Sequence, residues 1–428
     1  MTGVRRAARA ARFGAPLAPL VLLFGLNVTD ELDGLAFAVF TPEVRDAFGS
    51  DDQTLIVIGS VAAVVSLLAA LPAGVLADRV NRVRFAVVAA VVWGLMTVLT
   101  GVAPALGVLI VARIVSSVGE ITNEPVHSSL LGDYYPPDRH PLVYTVHRLA
   151  NPLSGLAGVL IGALGGAFGW RTTFVLLALP TFVLAVLALR LREPVRGATL
   201  DPSIAAAPQR PTVRFRTATR TLFAVPTLRR FWLAAFLFGI GEVPLLQFLS
   251  LFFEKVYALG AWGRGVETFL FSAGIVLGLG AGAVLAQRGV HGARAGWFAL
   301  VVGITLGVGS AAFLLMALSP TLVLSSVFLV LAGAGVGAYQ PAYYSLVNVI
   351  APPEVRAQAY AWLVLFVGMG GVVSAVTLSG SGEALGYRVA IALLAGVLLL
   401  GSFVFVTAAH TADADEERQR TALAAGAG

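Results

Sequence analysis

Along the sequence, apolar blocks of about 20 residues alternate with short polar breaks, the length at which a helix crosses a hydrocarbon core of roughly 30 Å. Twelve blocks read as membrane spans. Six lie at 16–40, 54–77, 84–104, 106–131, 141–167 and 170–190, and six more at 231–256, 265–287, 295–318, 321–349, 356–379 and 387–408. A basic N-terminal stretch before the first block has the look of a signal peptide. No A-x-A cleavage pattern follows the apolar block and the alternation continues, so this reads as a retained first helix.

The pattern divides the chain into an N-terminal half, 1–190, a polar linker, 191–230, a C-terminal half, 231–410, and a polar tail, 411–428. The expected fold class is an all-α membrane protein with twelve transmembrane helices in two six-helix halves. An internal repeat supports the division. At an offset of 216 residues, Gly119, Pro125, Ser129, Leu130, Pro136 and Pro137 align with Gly335, Pro341, Ser345, Leu346, Pro352 and Pro353. Earlier in each half, V-L-A-D-R at 75–79 is echoed by V-L-A-Q-R at 284–288. Parallel repeats of this kind are how some transporters build two halves around an axis along the membrane normal.

Arginines set the expected topology. Arg5, Arg6, Arg9 and Arg12, then Arg79, Arg82 and Arg84, then the linker arginines, then Arg288 and Arg294, all fall on one side. The positive-inside rule places that side, with both termini, in the cytoplasm of a multi-pass inner-membrane protein.

Composition agrees with lipid as the solvent. The chain is 58% hydrophobic and 12% charged, whereas soluble domains carry about 25% charged residues. A formal charge of +6 does not point to nucleic acid, because the basic residues sit between apolar blocks where topology needs them. No cysteine is present, which excludes disulfides, thiol catalysis and thiolate metal sites, and no metal or cofactor is expected. H-x-x-x-x-D, His410 to Asp415, has an acyltransferase-like spacing but lies in the polar tail without a fold around it. H-E-x-x-H and G-x-S-x-G are both missing, so an enzyme is not expected.

Charged residues inside the spans are the candidate chemistry, since each costs about 2.5–3.5 kcal/mol at the bilayer centre unless paired or hydrated. In the fourth span Arg113, Glu120, Glu124 and His127 are spaced to fall on one side, with Arg113 and Glu120 about 20° apart around the helix. One neutral Arg113–Glu120 pair is a purely structural alternative. The first span adds Asp30, Glu31 and Asp33, of which Asp30 and Asp33 share a face and Glu31 points elsewhere. Asp30, Glu124, His127, Arg148, Glu242, Gln247, Tyr339, Gln340 and Tyr343 are candidates to line a substrate cavity. Carboxylates crowded in a low dielectric suit proton binding near neutral pH.

G-V-L-A-D-R-V-N-R-V-R, Gly74 to Arg84, lies between the second and third spans. It resembles the loop signature of the major facilitator superfamily. The resemblance implies that fold and a conformational latch at Gly74, Asp78, Arg79 and Arg82, made asymmetric by Gln287 at the equivalent of Asp78. A closer resemblance is carried by A-R-I-V-S-S-V-G-E-I-T-N-E-P-V-H-S-S-L-L-G-D-Y-Y-P-P-D-R, from Ala112, and by Asp33 with T-P-E-V-R-D-A-F-G from Thr41. These look like the corresponding stretches of spinster-type transporters of lysophospholipids and sphingosine phosphates. That resemblance implies proton coupling at Asp33, Arg113 and Glu120. Gly34, Glu124, His127 and R-H-P-L from Arg139 depart from the pattern and leave the substrate open. The expectation is a monomeric, proton-coupled carrier of a small amphiphilic substrate, lysolipid-like. A multidrug exporter and a non-transporting receptor are the alternatives.

Overall fold

The computed structural model describes residues 16–50, 52–121, 123–197, 199–200, 213–259, 261–292, 294–378 and 385–425. The side chains of Glu120 and Gln247 lie outside the described part, and so do Arg5, Arg6, Arg9 and Arg12. The described chain is helical, and helices run through each of the twelve segments read as spans.

The N-terminal half comprises α1 (Ala18–Val39), a short α2 (Thr41–Phe48), α3 (Asp52–Arg79), α4 (Arg82–Val102) and α5 (Leu106–Tyr134). Three pieces complete it: α6 (His140–Arg148), α7 (Ala150–Leu156) and α8 (Gly158–Ala188). Within α8 the chain turns at Gly169, whose φ of 79° is open to glycine at little cost, so the run holds the end of one span and all of the next. The C-terminal half holds α9 (Phe215–Ala224), α10 (Pro226–Tyr257), α11 (Ala261–Gly292), α12 (Ala295–Leu318), α13 (Leu322–Ile350), α14 (Arg356–Leu378) and α15 (Tyr387–Ala425).

Among the described residues, eight helices are long and apolar enough to cross a membrane, or nine if the bent pair Phe215–Ala224 and Pro226–Glu242 counts as one. The first helix misses that count because Asp30, Glu31 and Asp33 interrupt its apolar run. Large apolar side chains such as Val64, Leu68, Val88, Leu277 and Phe403 point outward, as lipid requires. Inside, small residues set the spacing. Gly274, Gly278 and Gly282 of α11 lie directly on the α13 backbone at Val330, Ala334 and Ala338, where a larger side chain would collide.

The halves meet along α3 and α14, α6 and α13, and α6–α7 and α11. One reading changes here. The stretch 411–425 is not a tail without a fold but the continuation of α15, and its carboxylates are docked. Asp415 accepts from the Thr227 N–H at 2.9 Å, Glu416 from Ala295 at 2.9 Å and Asp413 from Gly296 at 2.7 Å. Three acids thus satisfy the open amides at the starts of α10 and α12. Asp413 and Asp415 of the H-T-A-D-A-D string therefore cap helices.

Candidate functional site

Two polar constructions stand out, one at the end that carries the linker and one inside the membrane. At the linker end, the Asp78 carboxylate accepts from the backbone N–H of Ala357 at 3.1 Å and of Gln358 at 2.8 Å. These are the open amides of the first turn of α14, in the other half, where a negative charge also meets the helix dipole. Gly74, one turn earlier on α3, lies against Ala357 and Ala361, where any side chain would push the helices apart. Arg82 is fully buried and donates to Asp133 at 2.6 Å, Glu193 at 2.7 Å and Ser129 Oγ at 2.8 Å. Asp133 also accepts from Arg356 of the other half at 2.6 Å.

Arg196, in the linker, donates to the carbonyls of Ala77, Asp78 and Val80 at the end of α3, and its burial lowers its pKa. Arg79 is exposed, so it takes no part in the buried contacts of this region. Gln287, the repeat counterpart of Asp78, also crosses between the halves, donating to the Asp138 carbonyl at 2.8 Å. Asp133, Arg196 and Arg356 were missed as site residues, although the loop after the fourth span carries Asp133 in plain view.

Inside the membrane, Asp33 of α1 and Arg113 of α5 form an ion pair at 2.6 Å, with 1% and 7% of their surfaces exposed. The Arg113 guanidinium also sits 4.6 Å over the Phe37 ring. Asp30 accepts from Asn123 at 2.7 Å. Glu124 does not join Arg113. It lies 3.3 Å from Arg148 of α6 and accepts from the Tyr344 hydroxyl of α13 at 2.8 Å. Arg148 sits 4.5 Å over the Tyr344 ring and donates to its hydroxyl.

The described members of the stripe read along the fourth span serve separate partners at different depths, since Arg113 and His127 lie about 21 Å apart along the axis. His127 is a further correction. It is fully buried edge-on against His147, with ring nitrogens 3.4 Å apart, and does not line a cavity. Glu31, read as pointing elsewhere, accepts from Asn151 of α7 at 3.1 Å and lies within electrostatic reach of Arg148 and Glu124. It is a member of the central group that was missed.

On α13, Tyr343 stacks on Phe231 and Tyr339 meets Phe238 edge-on, so this helix presents an aromatic bench beside Arg148. Gln340 is half-buried and donates to the Val336 carbonyl of its own helix at 3.3 Å. Glu242 of α10 is half-buried within electrostatic reach of Tyr339. Among the described residues, no group of three or more His, Cys, Asp or Glu is placed to hold a metal ion.

Two helical halves in lipid, locked together at one end and holding charged groups where they face each other, define a membrane carrier. The chain belongs to the Major Facilitator Superfamily, whose profile matches residues 22–375. The 4-hydroxybenzoate transporter PcaK of Pseudomonas putida is 25% identical over 410 residues, which cover 85% of this chain and 86% of that protein. The hexuronate transporter of Bacillus subtilis is 27% identical over 171 residues, 40% of this chain and 40% of that relative's length. Among solved structures, a bacterial homologue of the human lysosomal transporter Spinster superposes with a TM-score of 0.59 at 20% identity, covering 93% of this chain and 97% of that one. The protein is a multi-pass membrane transporter and not an enzyme.

Proposed function

We propose that the protein is a proton-coupled secondary active transporter that works as a monomer by alternating access. It moves a small amphiphilic, lysolipid-like substrate across the inner membrane, with the linker end in the cytoplasm. The Asp33–Arg113 pair carries this reading. An ion pair held away from water inside a membrane is costly to bury, and ionisable groups kept there despite that cost mark functional sites. Loss of the Asp33 charge breaks this ion pair, and the α1–α5 contact then loosens. Glu120, seven residues after Arg113, takes part by the spinster resemblance. The latch at Asp78 and Arg82 holds the linker end shut until the other half moves.

The central group supports the substrate class. Tyr339, Tyr343 and Tyr344 offer apolar ring faces, and Arg148 offers a cation for an acidic headgroup. The names of both curated relatives denote carboxylates, which is consistent with an anionic group at Arg148. A second reading, export of cationic amphipathic drugs, is favoured by the carboxylates Glu31 and Glu124 within reach of that guanidinium, with Glu242 near Tyr339 beside them.

Reconstituted vesicles with an imposed pH gradient test the proposal, using lysophosphatidylglycerol, 4-hydroxybenzoate and a cationic amphiphile as substrates. Gradient-driven flux of the first that disappears in Asp33→Asn is the expected result. Flux indifferent to both the gradient and the substitution removes proton coupling. Flux of the cationic amphiphile alone moves the substrate class to the second reading. A reporter fused at residue 205 that proves external reverses the topology.

A further inference from the structure

Tyr344 lies in the middle of an unbroken path of contacts from Arg148 to the linker end. Its hydroxyl donates to Glu124 at 2.8 Å and accepts from Arg148, so its position depends on the charges of both. Its ring stacks on Tyr144, with centroids 5.2 Å apart, and on Tyr360, 5.7 Å apart. Its carbonyl accepts from the Tyr360 hydroxyl at 3.0 Å and from Asn348 Nδ2 at 2.9 Å.

Asn348 Nδ2 in turn lies within hydrogen-bond reach of the hydroxyls of Tyr144 and Tyr360, the latter at 2.5 Å. Tyr144 passes its own hydrogen to the Ser128 carbonyl at 2.8 Å. Asn348, Tyr144 and Tyr360 are each fully buried. The path continues to the lock between the halves, because Arg356 reaches the Asn348 carbonyl at 3.3 Å and Asp133 at 2.6 Å.

The placement follows the internal repeat. Gly132 and Asn348 are separated by the repeat offset of 216 residues, as are Tyr144 and Tyr360. The equivalent positions of the two halves therefore meet one another, with the Asn348 amide lying over Gly132 where any side chain would collide. A contact between repeat mates sits where the two halves part when the carrier changes state. The same cluster is thus a closure between the central group and the linker end.

We propose that Tyr344 couples the central site to this closure: neutralising Glu124, or drawing Arg148 away to a substrate anion, releases Tyr144, Asn348 and Tyr360 and opens the linker end. The inference rests on the alternating-access reading above and deepens it. The groups that face Glu124 are Arg148 from α6, Tyr339, Tyr343 and Tyr344 from α13, and Glu31 from α1. With Glu124 ionised, the Tyr344 hydroxyl has a charged acceptor and a charged donor. Loss of either removes a charge-assisted bond in a low dielectric, where such bonds are strongest.

Two features make the closure ready to switch. Pro341, three residues before Tyr344 on α13, supplies no N–H to the helix ladder, so the segment bearing Tyr344 turns with little backbone cost. Asn348 Oδ1 is buried without a hydrogen-bond partner among the described residues, a cost carried by the closed arrangement. A polar cluster of this kind is satisfied or broken as a unit, which favours two discrete states over a graded one.

The chain has no cysteine, so spin labels can be placed by Val80→Cys and Arg288→Cys, exposed positions at the linker end of opposite halves. Distance distributions are measured in lipid nanodiscs for the labelled chain, for Glu124→Gln, for Tyr344→Phe and for both together. Tyr344→Phe keeps the stacked ring and removes the hydroxyl; a thermal melt within a few degrees of the parent shows that the fold is intact. Each single substitution is expected to raise the long-distance fraction about tenfold or more, and the double variant to match the larger single effect.

A Tyr344→Phe distribution like that of the parent overturns the coupling role, and so do single effects that add independently. In either case, a parent that still switches leaves the carrier reading standing. One fixed distance in all four proteins overturns the inference and counts against alternating access as well.

Discussion

Asp133 and Arg356, from opposite halves of the chain, meet at 2.6 Å with both side chains fully buried. Asp133 holds Arg82 of its own half at the same distance, so one carboxylate serves a guanidinium from each half. Substitutions on the two sides of this bridge should behave differently. Asp133→Asn leaves two buried arginines short of a partner, a loss of about 3–5 kcal/mol, and should lower the yield of folded protein. Arg356→Met keeps the Arg82–Asp133 pair and should fold, with the linker end opened. Size-exclusion profiles and label distances at residues 80 and 288 separate these outcomes. Equal behaviour of the two variants would show that the bridge does not tie the halves together.

The Asp78 carboxylate is predicted to act on populations rather than on folding. Asp78→Asn retains one acceptor oxygen but loses the charge facing the α14 dipole, worth about 0.3–2 kcal/mol. Transport should slow while the amount of protein in the membrane stays level. Radiolabelled flux and a membrane blot read the two quantities. Unchanged flux with unchanged distances would leave the loop with a topogenic role only.

Within the membrane, Asp33→Asn removes the proposed coupling carboxylate and puts a neutral amide opposite Arg113. Proton-driven flux should fall at least tenfold while substrate binding, followed by tryptophan fluorescence, survives. Arg113→Ala strands a buried carboxylate and should harm both binding and flux. Glu120→Gln is expected to follow Asp33→Asn. Full proton-driven flux in both neutral variants would move the coupling role to Glu31, Glu124 or Glu242.

The acids of α15 give a prediction about stability. Replacing Asp413, Asp415 and Glu416 by Ala opens three amides at the starts of α10 and α12. At about 1 kcal/mol for each lost cap, the melting temperature in detergent should drop by several degrees. An unaltered melt would show that these amides find other partners.

Fold and site were not equally legible from the sequence. The apolar blocks announce helices because lipid leaves the backbone no other partner, and the block 295–318 coincides with α12. Intramembrane charges announce themselves for a similar reason, and the structure pairs Asp33 with Arg113. Which group meets which is another matter. Glu124 reaches Tyr344 across 220 positions, and that contact depends on how one half is set against the other. Neither hydropathy nor helical spacing carries that information. Glu31 was passed over because it leaves the face of its neighbours Asp30 and Asp33, while the face it does take belongs to Asn151. The stretch 411–425 has the composition of a solvated tail, and only its position beside two helix starts makes its acids caps.

The docking of α15 also has a consequence for biogenesis. The amides that open α10 and α12 are satisfied by residues made roughly 120 to 190 positions later. Until residues 413–416 have left the ribosome, those two helices enter the membrane with their ends unfinished. The second half is thus completed late, while the α1–α8 half already has its own buried pair between Arg82 and Asp133. A nascent chain arrested in this window would present exposed helix starts to the machinery that recognises incomplete membrane proteins.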